Sequence, residues 1–177
     1  MSIFGKLFGG KEGAAEAAKA AAAQTPAPIT NQPGRTISYD PTLIESLLHD
    51  HRQLNACYER IGGLLQNDKF GEVRDELIDF KTRLQAHILS ENVRFYSYLE
   101  QSLEGDASNL ETLHDVRREM NGITRGVMDF VKKYQLPDVL NNETQADFAN
   151  DYQAVGKQLT QRLQREESSL YPLYQPS

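Results

Sequence analysis

From Tyr39 onward, apolar residues return at three- and four-residue steps, the spacing that lines one face of an α-helix. Four such stripes can be traced. Leu47, Leu54, Tyr58, Ile61 and Leu65 form the first, with Ile44 at its edge. Leu77, Phe80, Leu84, Ile88, Phe95 and Leu99 form the second, and Leu113, Val116, Met120, Ile123, Val127 and Tyr134 the third. The fourth carries Leu159, Leu163 and Leu170. Turn residues separate the stripes: Asn67, Asp68 and Gly71, then Gly105, Asp106 and Ser108, then Pro137 with Asn141 and Asn142. Asp40 before Pro41 reads as an N-cap with proline at the first helical position. The spacing predicts helices over 41–66, 72–103, 109–135 and 143–171. Sustained period-two alternation is absent. Helices of about 25–30 residues joined by short loops fold as neighbours, so the chain is expected to be all-α, an antiparallel up-down-up-down four-helix bundle over residues 39–177.

Residues 1–38 differ in kind and read as a disordered or partly helical tail. Ile3, Phe4, Leu7 and Phe8 fall on one side of a short amphipathic tip, and Lys11 to Ala23 is rich in alanine. Pro26, Pro28 and Pro33 mark an extended linker. Ten residues do not hold a helix alone, so the tip, residues 1–10, is a candidate anchor for a partner protein or a membrane surface.

A formal charge of −6 disfavours direct nucleic-acid binding, which needs a basic patch. One cysteine, Cys57, excludes an internal disulfide framework and suits a reducing compartment. No apolar run approaches the length of about 20 residues that spans a bilayer, and the first residues lack the apolar core of a signal peptide. A cytoplasmic location is expected.

The chemistry lies in polar residues that interrupt the stripes. His51 falls inside the first; His87 and Glu91, four residues apart, fall inside the second. His49, roughly 200° from His51 around the helix, faces solvent. Aligning Glu166 with Glu91 lays Leu159 on Leu84, Leu163 on Ile88, Leu170 on Phe95 and Tyr171 on Tyr96, and puts Arg162 where His87 stands. Glu167 sits at the wet margin. In the third helix Leu113 holds the register of His51; His114 lies about 130° from the stripe and enters only if the first turn is irregular. Arg117 lies nearer and can reach inward.

Buried charges need partners. Glu91 and Glu166 bring two negative charges and Arg162 returns one positive. One divalent ion held by His51, His87, Glu91 and Glu166, with His114 as a further candidate, suits iron or manganese. Arg162 at a ligand position opposes a second ion. If Arg117 also enters beside Arg162, two arginines balance both glutamates and no metal is required. A ferritin-like site needs two Glu-x-x-His motifs, and only Glu111-Thr-Leu-His114 is present. No phosphate loop or Ser–His–Asp pattern names a reaction, so a non-enzymatic role is expected. Cys57 reads as inert core, and Tyr96, Tyr98, Tyr171 and Tyr174 as core and rim.

Asp50-His51-Arg52 within DHRQLNACYERI, His87-x3-Glu91 followed by Phe95-Tyr96, and Glu166-Glu167-x-x-Leu170-Tyr171-Pro172 together resemble the hemerythrin-like HHE cation-binding family, over residues 41–175. The resemblance implies a nonheme iron site and O2, NO or redox sensing, or iron handling. Arg162 stands where that family's fourth-helix motif has histidine, and only His114 approximates the third-helix histidine. Both departures argue against a full di-iron O2 carrier. A second set, Leu43-Ile44-x3-Leu48, Leu54, Tyr58, Gly62, Asp79-Phe80, Leu84, Gly156, Leu159, Arg162 and Glu166, is similar to the Rsd/AlgQ regulators. That resemblance implies a metal-free bundle whose partner is a sigma factor.

Overall fold

The computed structural model describes residues 36–136 and 139–176. The amphipathic tip, the alanine-rich stretch and the proline linker therefore lie outside the described residues. The chain enters the described part tied to the bundle, with the Thr36 and Ile37 amides donating to Gln101 Oε1 at 2.9 and 3.3 Å.

Four rods and no strand make up the described residues. Rod α1 is Leu43–Gln66. Rod α2 runs as α-helix over Phe70–Ser90, as a π-helical segment over Glu91–Tyr96, and as α-helix again over Ser97–Ser102. Rod α3 is Ala107–Tyr134. Rod α4 is Gln145–Arg165, followed by a π-helical segment Glu166–Leu170 and a closing 3₁₀ turn Tyr171–Leu173. α1 packs on α2 and α4, and α3 on α2 and α4, the closed ring of an antiparallel bundle. The starts shift slightly from the expected ones. Asp40 does not cap the helix directly; its Oδ1 accepts from the Thr42 amide at 2.9 Å and the Thr42 hydroxyl at 2.7 Å, and α1 begins at Leu43. Asp106 caps α3 by accepting from the Asn109 amide at 3.1 Å.

The core is two apolar blocks with a polar layer between them. One block holds Leu54, Ile61, Leu77, Phe80, Leu84, Val127 and Leu159. The other holds Leu43, Leu47, Phe95, Leu99, Leu113, Val116 and Leu170. His51, His87, Glu91, Arg162 and Glu166 fill the gap, all at most 2% exposed. Beyond the layer, Gly62 and Gly156 let α1 and α4 approach closely. A Cβ at Gly62 would lie 2.7 Å from Tyr152 Oη, and one at Gly156 would lie 3.0 Å from Tyr58 Cε1. Those tyrosines stack at 4.4 Å, and each hydroxyl donates to the other's backbone carbonyl.

Candidate metal centre

Each buried polar side chain is carried inward by the helical period that carries its apolar neighbours. His51 sits one turn from Leu47 and Leu54, and His87 and Glu91 lie between Leu84 and Phe95. Their donor atoms converge. His51 Nε2 lies 3.2 Å from His87 Nε2 and 3.2 Å from Glu166 Oε2, and His87 Nε2 lies 3.6 Å from Glu91 Oε2. One ligand atom from each of His51, His87, Glu91 and Glu166 lies within 4.8 Å of all the others.

The two imidazoles are backed by carboxylates on their far sides. His51 Nδ1 donates to Glu167 Oε1 at 2.7 Å, and His87 Nδ1 points toward Asp50 Oδ2 at 3.6 Å. A carboxylate behind Nδ1 turns the Nε2 lone pair toward the centre, the usual arrangement behind a metal-binding histidine. Glu166 Oε1 lies 2.7 Å from Arg162 Nε, but out of hydrogen-bonding direction. Both Glu166 oxygens are fully buried and held by ion pairs, Oε1 by Arg162 and Oε2 by His51 Nε2 at 3.2 Å. Arg162 is itself tightly held. Nη2 donates to Glu91 Oε2 at 2.6 Å, and Nη1 donates to the Met120 carbonyl at 3.0 Å and to the Thr124 hydroxyl.

The titrating groups follow from this crowding. Burial pushes His87 down to about 3, aided by the positive charges of His51 and Arg162. Burial also opposes the charged form of His51, but Glu166 and Glu167, with Glu91, outweigh it and raise His51. Burial raises Glu91, as does Glu166, against the pull of Arg162. Without an ion, Arg162 supplies the layer's fixed positive charge, and the surrounding glutamates favour the protonated form of His51.

A model of the hemerythrin HHE cation-binding domain matches residues 42–174, well over half the chain. The chain belongs to the hemerythrin HHE family. No curated protein and no solved structure gave a match. The match covers all four rods of this hemerythrin domain and the whole polar layer. Membership supplies the expectation of a cation; two Nε2 atoms and two buried carboxylates whose donor atoms lie within 4.8 Å of one another fit one.

Within the hemerythrin domain, five of the expected side chains come together: His51, His87, Glu91, Arg162 and Glu166. Two do not. His114 is half-exposed and faces Glu100 Oε1 at 3.4 Å, because the first turn of α3 is regular and capped by Asp106. Arg117 does not reach the layer; it donates to Asn92 Oδ1 and Glu100 Oε1 and lies over the Tyr96 ring at 5.2 Å. The reading in which Arg117 neutralises a glutamate is corrected accordingly. Three participants escaped the sequence pattern. Glu167 is partly exposed, as expected at a margin, yet it holds His51. Thr124 and the Met120 carbonyl anchor Arg162.

Tyr171 is the most informative omission. Its hydroxyl lies 3.0 Å from both His51 Nε2 and Glu91 Oε1. At about 100° per residue, an α-helix would put Tyr171 about 140° around from Glu166. The π segment Glu166–Leu170 brings residues five apart onto one face and turns Tyr171 inward. The corresponding segment Glu91–Tyr96 begins at the corresponding glutamate of α2. Cys57, by contrast, is core: burial pushes its thiol up to about 12.

Proposed function

We propose that this hemerythrin-domain protein binds a single iron ion, or manganese in its place, through His51, His87, Glu91 and Glu166. In this reading it acts in O2, NO or redox sensing or in iron handling, without enzymatic turnover and without carrying O2. The observation that carries the proposal is Glu166. It is a fully buried carboxylate, ion-paired to Arg162 and His51, with one oxygen within 4.8 Å of a donor atom from each of His51, His87 and Glu91. Two nitrogens and two carboxylates are a donor set suited to iron or manganese. An ion bound here would supply Lewis acidity and, for iron, one-electron redox chemistry. The protein's part is to hold the His51 imidazole by Glu167, to exclude bulk water with the two apolar blocks, and to limit the charge. Arg162 does the last. Its guanidinium sits against both glutamates, at a place where a second cation would meet a fixed positive charge.

Arg162 also favours a second reading. Bonded to Glu91, Met120 and Thr124, it makes the layer partly self-sufficient. A metal-free bundle would then work through its outer surface or through residues 1–10, with a sigma factor as the partner that the Rsd/AlgQ resemblance implies. Among the described residues no helix is long and apolar enough to cross a membrane. We place the protein in the cytoplasm.

The test is elemental analysis of the full-length chain, purified without a metal-binding tag, beside Glu91→Ala. About one iron or manganese per chain, lost in the variant, supports the metal-binding reading. About two would overturn the role given to Arg162. None, with the fold intact, would leave the adaptor reading.

A further inference from the structure

We propose that Tyr171 is a ligand of the ion, its phenolate oxygen joining His51, His87, Glu91 and Glu166; the inference rests on the metal-binding reading above. Two ligands at right angles, each about 2.1 Å from an octahedral ion, lie about 3.0 Å apart. Tyr171 Oη is 3.0 Å from His51 Nε2 and 3.0 Å from Glu91 Oε1, and the imidazole nitrogens are 3.2 Å apart. The hydroxyl, hydrogen-bonded to two of the four donors in the ion-free protein, thus lies as close to them as the donors lie to one another. The ring has little freedom to leave. It is buried, stacked on His51 at 5.4 Å between centroids and met edge-on by Phe95 at 5.3 Å.

In the ligation step a bond forms between the ion and Oη, the O–H bond breaks, and the proton leaves to solvent. Tyr96, at the equivalent place on α2, gives an internal control. It is buried and its hydroxyl has no hydrogen-bond partner among the described residues, but its ring lies under Arg117.

The test is spectroscopic. The full-length chain is loaded with ferrous iron, oxidised with ferricyanide and desalted. Visible absorption is then recorded, with resonance Raman excited within any visible band. Ferric iron bound to a phenolate gives an intense visible charge-transfer band and enhanced tyrosine ring modes. We expect both in the wild type and in Tyr96→Phe, and their loss in Tyr171→Phe with iron retained. Should Tyr171→Phe fail to fold, the wild-type ring modes, shifted by ring-deuterated tyrosine, still decide whether a phenolate is bound. Iron bound without a phenolate band would overturn the proposal and leave the metal-binding reading standing. So would a band that survives Tyr171→Phe. No iron bound would overturn the proposal, and neither iron nor manganese bound would overturn the metal-binding reading with it.

Discussion

Replacing Arg162 with methionine tests the charge logic of the polar layer most directly. The guanidinium is 2% exposed and contacts Glu91 at 2.6 Å and Glu166 at 2.7 Å. Methionine fills much of its volume but returns no charge, leaving two buried carboxylates with no fixed cation. Breaking one side of a buried ion pair costs about 3–5 kcal/mol. For a domain near this size, each kcal/mol moves the midpoint by about 2–4 °C. Ion-free Arg162→Met should therefore melt about 6–20 °C below the wild type. The deficit has a pH signature. Glu91 is already raised by burial and by Glu166, and without Arg162 it relaxes by taking a proton. Uptake is easy at low pH and harder as pH rises; because Glu91 of the wild type already sits at about 7, the deficit opens above that value, growing by up to about 1.4 kcal/mol per unit. A divalent ion reverses it. At about 100 times its dissociation constant a bound ion adds about 2.7 kcal/mol, and the variant should bind more tightly than the wild type because a repelling charge is gone. Urea and thermal unfolding followed by circular dichroism, with and without manganese, read every term. A loss under about 1 kcal/mol, with no larger gain from the ion than the wild type shows, would refute the argument that Arg162 stands in for cationic charge.

Three further expectations follow from the same contacts. Glu167→Ala frees His51 Nδ1 and should weaken manganese binding about 10- to 100-fold by calorimetry; unchanged affinity would mean that packing alone orients the ring. His114→Ala should leave metal content unaltered and unfolding within about 0.5 kcal/mol of wild type, since His114 pairs only at the surface with Glu100. His87→Gln probes a depressed group. Between about 6.5 and about 3 the unfolded imidazole takes a proton that the folded one refuses. Ion-free wild type should therefore lose stability relative to the variant as pH falls through that window, and parallel urea titrations at two pH values inside it would expose an error of sign.

The helical period is local, and a bundle's inward face must be apolar or paired. For that reason the four rods and the inward turn of His51, His87, Glu91, Arg162 and Glu166 could be read from spacing alone, and so could the outward turn of His49. The exclusion of His114 was already present in its angle from the stripe; the regular, Asp106-capped first turn of α3 made it final. The rest depends on contacts between rods. Glu167 reaches His51 across 116 residues of sequence, and Thr124 meets Arg162 across 38. No periodicity records such pairs. The two π segments matter most. They change the phase of α2 and α4 just past Glu91 and Glu166, which a fixed angle per residue cannot anticipate. The sequence by itself determined which residues enter the core. Tertiary structure decided how far each helix is rotated once there, and so placed the Tyr171 hydroxyl among the donors, because packing between rods sets the helix phase after the local period has set the stripe.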